Sequence, residues 1–346
     1  MAAALKRALE AYSVTSARPQ RKARVFEIAA GEVESIDSVD RRQIISCAMS
    51  ASAIDLHTHT THSDGSASPE ELIALACARR ARAVAITDHD TVSAIVEARA
   101  AAVRLGIEFV AGIEISAEYS PGTMHILGYC IDDESTALAL RLDELRRARE
   151  NRNPQIASRL RSLGFDIRYD EVVELAGNQV VGRPHFARLM IQKGYVASMQ
   201  EAFDRFLKKD AVAYVPKMRL SPRDSIALIH QAGGVAVLAH PYQLKLSSYE
   251  DLDRLVGELA GLGLDGIEAV YSRHSAAERK TYSEIAGRHG LLVTGGSDYH
   301  GSYKPDISIV TGLGDLDVPY ELLEALKARA AALPKATRTS GAQDPY

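Results

Sequence analysis

From Ile54 onward the chain repeats one short pattern: an apolar run of five to eight residues ending in polar ones, a stretch with helical spacing, then another run. The runs are AIDLH (53–57), AVAIT (83–87), FVAGIEIS (109–116), MHILGYC (124–130), VAVLAH (235–240), GIEAV (266–270) and LLVTGGSD (291–298). Helices are expected between many of them, over 69–80, 92–104, 222–232 and 275–288. Strands alternating with helices predict an α/β fold of parallel βα units. Residues 135–220 break this rhythm. There Leu138, Leu142 and Leu145, then Ile156, Leu160 and Leu163, recur at helical spacing, and short helices are expected near 183–193 and 198–208. The α/β part is therefore divided, 53–134 and 221–332, around a helical insert at 135–220. Residues 1–48 show no sustained period and are expected to form a poorly ordered extension. Met49, just before the first strand, reads as a natural beginning, and 333–346 reads as a polar tail.

Charge and cysteine usage narrow the function classes. The 41 basic and 45 acidic residues leave a net charge of −4, so no global positive field holds long nucleic acid or an anionic membrane. Any anionic ligand must be caught locally. No apolar run reaches the roughly eighteen residues of a membrane span, and the first twenty residues lack the apolar core of a secretory signal. Cys47, Cys77 and Cys130 are odd in number and lack zinc-pair spacing, which fits a reducing cytoplasm. Nothing here fixes an oligomeric state.

The polar ends of the runs carry the chemistry. In a parallel β/α architecture the C-terminal ends of the strands meet at one face, where sites form. The first run ends in His57 and His59, two apart and therefore on one face of a strand, with Asp64 following in SDG. The second ends in TDHDT with Asp88, His89 and Asp90, and the third places Glu114 inside GIEIS. A carboxylate in such an apolar run needs a partner. His125 lies on the fourth, His240 ends the fifth in AHP, and Asp298 and His300 end the last in GSDYH. Singly, each is as compatible with a hydrogen-bonded or surface residue. Together, six of seven runs deliver His, Asp or Glu at or near the same end, and that placement points to several metal ions.

The order DLHTH, SDG, TDHD, GIEIS, MHILGY, AHP and GSDYH resembles the PHP (polymerase and histidinol phosphatase) family of metal-dependent phosphoesterases. It is most similar to the branch containing 3′,5′-nucleoside bisphosphate phosphatases and 5′-3′ exoribonucleases. The resemblance spans about residues 53–330 and implies a distorted β/α barrel of about seven strands around three divalent ions. It assigns His57, His59, Glu114 and Asp298 to one ion. Glu114, shared, joins His125 and His240 at a second, and Asp64, His89 and His300 hold the third. His62 in THSDG is an additional histidine that could replace Asp64. Mixed imidazole and carboxylate donors suit Mn, with Fe and Zn compatible, better than an all-oxygen Mg site. Asp55, Asp88 and Asp90 stand beside the ligands as candidate acceptors for imidazole N–H groups.

The activity the resemblance implies is hydrolysis of a phosphate monoester by an activated water, with no covalent intermediate. Its catalytic residues are Glu114, His240 and Asp298, with His240 or a water assisting the leaving oxygen. The expected substrate is a small phosphorylated nucleotide, a 3′,5′-nucleoside bisphosphate losing its 3′-phosphate, or short 5′-phosphorylated RNA trimmed 5′ to 3′. In VGRPHFARL, Arg183 and His185 open a helix, and the resemblance points to them as the grip on a second, uncleaved phosphate. Lys217, Arg273 and His274 are further candidates for substrate contacts. Tyr119, Tyr214, Tyr242, Tyr271 and Tyr299 lie near the motifs and could stack a base. Histidinol phosphatase is the alternative activity. A non-catalytic metal-binding module would lack ligands, and none is missing.

Overall fold

Runs such as Ala83–Ile86 and Val235–Leu238 are buried at every position, as strands are when helices or chain cover both faces of a sheet. The computed structural model describes residues 53–177 and 181–333. The expected extension over 1–48 and the tail beyond residue 333 lie outside the described residues. Six strands form one sheet in chain order: β1 (Ala83–Ile86), β2 (Glu108–Ala117), β3 (Met124–Tyr129), β4 (Val235–Leu238), β5 (Gly266–Tyr271) and β6 (Leu292–Gly296).

The expected first strand is shorter of ladder than its sequence suggests. Residues 53–58 pair only through isolated bridges, Ala53 with Pro319, Asp55 with Val84 and Thr58 with Tyr299. They nevertheless join the sheet's two edges: the Ala85 amide donates to Asp55 O at 2.8 Å and the Leu56 amide to Gly295 O at 3.3 Å. The sheet is thus curled into a distorted β/α barrel, with this segment between β1 and β6. The expectation of uniformly parallel units needs correcting. β1–β2, β4–β5 and β5–β6 are parallel, but β3 runs antiparallel to both β2 and β4. Only residues 118–123 separate β2 from β3, too few for the crossover that a parallel pair requires.

The helices are α1 (Pro69–Ala78), α2 (Ile95–Leu105), α3 (Thr136–Ser162), α4 (Tyr169–Ala176), α5 (Arg183–Gln192), α6 (Met199–Ala202), α7 (Pro222–Gln231), α8 (Tyr249–Gly261), α9 (Ala276–Arg288) and α10 (Glu321–Ala332). α6 continues into a π-turn over Phe203–Leu207. The two leucine-rich patches of 138–163 belong to one 27-residue helix, α3, with Pro154 inside it. Its two halves serve different cores. Leu138, Leu142 and Leu145 join the sheet's cluster with Ile113, Ile115 and Ile126. Ile156 and Leu160 join a separate cluster with Phe186, Met190, Phe206 and Val215. Leu163, expected on the same stripe, is instead the exposed C-cap.

Alternation along β2 sets up the site. Ile113 and Ile115 face the helical layer that includes α7, α8 and α9, so Glu114 between them faces the other way.

Candidate metal centre

Local backbone choices bring the polar strand ends close together. Gly296 faces His57 so closely that any Cβ there would overlap the histidine's own backbone and Cβ. The SDG turn folds back on the first segment, with the Gly65 amide donating to Thr60 O at 2.9 Å, and a Cβ at Gly65 would meet the His59 carbonyl. Asp90, His240 and Asp298 hold positive φ of 53°, 24° and 58°. Non-glycine residues adopt such angles at a cost and chiefly where the surroundings fix a functional side chain.

Four overlapping groups of donors result, each with one ligand atom per residue and all of those atoms within 4.8 Å of one another. They are His59, Asp64, His89 and His300; His57, His59 and Asp298; His57, Glu114 and His240; and His89, Glu114 and His125. Glu114 is the hub. Its Oε2 lies 3.4, 3.2 and 3.0 Å from nitrogens of His57, His59 and His89, and its Oε1 lies 2.8 and 2.9 Å from His125 and His240. Asp64 reaches His300 at 3.3 Å, His59 at 3.6 Å and His89 at 3.7 Å. All nine residues assigned by the resemblance are thus in one constellation. His62 is outside it, with Nδ1 against the Ser93 hydroxyl at 2.7 Å.

These donors fit divalent cations better than they fit one another. His57 Nδ1–H donates to Glu268 at 2.8 Å, which turns the lone pair of Nε2 inward, 3.1 Å from Nε2 of His59. His300 Nδ1–H donates to the Asp298 carbonyl at 2.8 Å, presenting Nε2 to Asp64. A partner on one ring nitrogen that fixes the other for metal is a regular feature of such sites. Glu114 Oε2, His89 Nδ1 and His125 Nδ1 are buried with no properly angled hydrogen bond, although they stand at ion-pair distance. A buried carboxylate oxygen and ring nitrogens left unbonded and facing one another fit a cation.

Charge points the same way. Burial alone would raise Glu114, yet His89, His125 and His57 hold its carboxyl well below the usual range. Asp298, also opposed by burial, is held well below by His57, His59 and His300. Burial would lower His59, but Asp298 and Glu114 lift it to about 9. His89 is the exception, pushed down to about 3 chiefly by burial, against the pull of Glu114 and Asp64.

The supporting shell differs from the expected one. Asp55 accepts the backbone amides of His57, Ser297 and Val310. Asp88 accepts the Thr60 amide and the hydroxyls of Thr60 and Ser63. Asp90 pairs with Arg149 and Lys217, both at 2.8 Å. None of the three takes an imidazole N–H; short loops bring amides and hydroxyls to them first. Glu268, unremarked in the run GIEAV, fills the imidazole role for His57 and also accepts the His240 amide at 2.8 Å. Its signal was the same as that of Glu114, a lone carboxylate inside an apolar strand.

A cavity of about 480 Å³ opens over the constellation, within the range of small-molecule sites. It is lined by Asp64, His89, Glu114, His125, His240, Asp298 and His300, by Pro184, His185 and Arg188 of α5, and by Ser63, Gln243, Tyr303 and Lys304. Of the residues expected to touch substrate, His185 lines it and the other four do not. Arg183 donates to Leu207 O at 2.9 Å and sits over the rings of Phe203 and Tyr214. Lys217 is held by Asp90 and Ser116, and Arg273 pairs with Asp306. His274 is buried, with Nδ1 bonded to Ala269 O at 2.9 Å. Of the five tyrosines, none lines the cavity, and Tyr271 donates to Asp298 at 2.7 Å. Arg188, Tyr303 and Lys304 were missed because nothing in their local sequence separates them from ordinary surface residues.

Comparison with known proteins places this geometry. The PHP domain family model matches residues 55–259. A 3′,5′-nucleoside bisphosphate phosphatase from Chromobacterium violaceum is 36% identical over 248 residues, 71% of this chain and 87% of its own length. The 5′-3′ exoribonuclease Rnm of Salmonella typhimurium is also 36% identical, covering 71% of this chain and 84% of its own. A solved metal-dependent phosphoesterase from Bifidobacterium adolescentis superposes with a TM-score of 0.67 at 32% identity, over 81% of this chain and 97% of its own.

Proposed function

The chain belongs to the PHP family and is a metal-dependent phosphoester hydrolase, and from that premise we propose that its substrate is a 3′,5′-nucleoside bisphosphate, which loses the 3′-phosphate. The observation that carries this is the cavity lined by two cationic side chains from separate elements, Lys304 beside Asp298 of the donor nests and Arg188 on α5. A bisphosphate needs both; histidinol phosphate, with one phosphate, needs only the first. Short 5′-phosphorylated RNA presents the same two charges and is the second substrate, in keeping with the relatives on both sides of this branch.

The site holds three ions in this reading. His57, His59, Glu114 and Asp298 take one, Glu114, His125 and His240 the second, and Asp64, His89 and His300 the third, with Mn as the metal and Fe or Zn compatible. Bound there, they supply an activated water at neutral pH and charge relief on the phosphoryl oxygens. The chain's own residues do the rest. Glu114 spans two nests, Glu268 fixes the His57 ring and the His240 backbone, and His240, facing the cavity, stands where it can assist the leaving oxygen. The helical segment 135–220 covers one wall and supplies the grip on the uncleaved phosphate through His185 and Arg188. The free thiol at Cys130 suits a cytoplasmic protein. Among the described residues no helix is long and apolar enough to cross a membrane.

Metal analysis followed by a phosphate-release screen tests the reading. Nucleoside 3′,5′-bisphosphates, mononucleotides, histidinol phosphate and short 5′-phosphorylated RNA are compared at equal concentration. A preference for histidinol phosphate or for mononucleotides over bisphosphates overturns it.

A further inference from the structure

Lys304 follows the short 3₁₀ turn after His300 and belongs to none of the donor groups. Its ammonium lies 2.7 Å from Oδ2 of Asp298, the oxygen that also accepts the buried Tyr271 hydroxyl at 2.7 Å. The other oxygen, Oδ1, faces His57, His59 and His300 at 3.6, 3.4 and 3.4 Å. Asp298 therefore offers Oδ1 to the nests, and Oδ2 has a fixed neutral donor in Tyr271 without the lysine. Lys304 is also 31% exposed in its side chain, pairs with no other carboxylate among the described residues, and lines the cavity beside Asp298 and His300. An ammonium has three N–H donors. Asp298 takes one, and two are left for a ligand.

We propose that Lys304 is a further catalytic residue of the hydrolysis, its ammonium spanning Asp298 and an oxygen of the scissile phosphoryl group. A cation held by the donor groups would draw on the Asp298 charge and leave less of it to hold the lysine, so that a phosphate dianion would be the stronger partner for the ammonium. In that position the ammonium meets charge on the phosphoryl oxygens and the departing alkoxide, where a preorganised donor in a water-poor site acts most strongly. The inference rests on phosphoester hydrolysis at the nests and not on which ester is preferred.

The test uses the Mn-loaded full chain with Lys304→Ala and Lys304→Arg. Metal per chain, the dissociation constant of inorganic phosphate by calorimetry, and kcat and KM on a phosphate ester are measured for each. Lys304→Ala is expected to keep its metal, bind phosphate about tenfold to hundredfold more weakly and lose kcat by a similar factor. Lys304→Arg should recover much of both. If metal content falls in step with kcat, the lysine only positions Asp298 and the proposal is wrong. Weaker phosphate binding at unchanged kcat, or neither changed beyond about twofold, also overturns it. A wild-type chain that takes up no metal or hydrolyses no ester refutes the phosphoesterase reading itself, whereas an active wild type beside an unaffected Lys304→Ala removes only the lysine.

Discussion

Arg188→Ala should separate substrates that carry two phosphates from those that carry one. Arg188 stands exposed on α5, three residues beyond His185, at the cavity wall, and forms no ion pair among the described residues. A charge-assisted contact to phosphate contributes about 1.5–3 kcal/mol. Exposure to solvent screens it toward the lower end, so kcat/KM for a 3′,5′-bisphosphate should fall about tenfold. A mononucleotide never makes the contact and should be hydrolysed as before. The assay is phosphate release from both substrates by both proteins. The ratio of the two changes is the readout, because it cancels any general damage to fold or metal loading. Arg183→Ala is the companion variant. Its guanidinium holds Leu207 O and lies over Phe203 and Tyr214, so its loss should cost about 1–2 kcal/mol of stability and leave the substrate ratio alone. Equal losses on both substrates in Arg188→Ala mean the arginine is structural or touches the scissile group, and either refutes its grip on a second phosphate. A changed ratio in Arg183→Ala, with none in Arg188→Ala, means Arg183 leaves Leu207 to grip the phosphate.

Glu114→Ala should lose more metal and more turnover than removal of any single histidine, since both its oxygens face donor groups; near-normal metal per chain would contradict its place at the hub. Asp64→Ala should cut activity by orders of magnitude while His62→Ala costs little, because His62 is turned to Ser93; rates reversed between the two would mean the SDG loop is threaded differently when ions are held. Glu268→Gln weakens the acceptor that orients His57, and titration with Mn should show affinity about ten- to hundredfold lower; unchanged affinity would make Glu268 a structural carboxylate alone. Tyr271→Phe removes one of the two donors on Asp298 Oδ2, and the same titration should show a smaller loss than Glu268→Gln, because Lys304 still holds that oxygen.

Eight of the nine candidate donors were legible in the sequence because each sits inside or just beyond an apolar run, where period-two geometry and an apolar context limit what a polar residue can do; Asp64, in the SDG turn, stood out only beside them. Glu114 is the clearest case: Ile113 and Ile115 beside it leave only one face for the carboxylate. Glu268 carried the same signal in GIEAV and needed only the same reasoning applied again. The helical character of 135–220 was legible too, but its long helix was not. Leu138–Leu145 and Ile156–Leu160 read as separate patches because each half of α3 faces a different core, and periodicity reports a buried face without saying what buries it. The antiparallel course of β3 follows from the six-residue connection before it, a spacing visible in the sequence but overruled there by the general rhythm of strands and helices.

What the sequence by itself determined is the kind of fold and the set of donors, since both depend on residue type and short-range spacing. Tertiary structure alone decided the surroundings of those donors. It gave Asp88 to hydroxyls, Asp90 to Arg149 and Lys217, and Glu268 to His57 across 211 residues of chain. It also set Arg188 and Lys304 on the cavity wall while Arg183, Lys217 and Arg273 went to other partners. A flexible cation takes the nearest acceptor the folded chain offers, and that distance is fixed by packing between elements remote in sequence, on which local pattern carries no information.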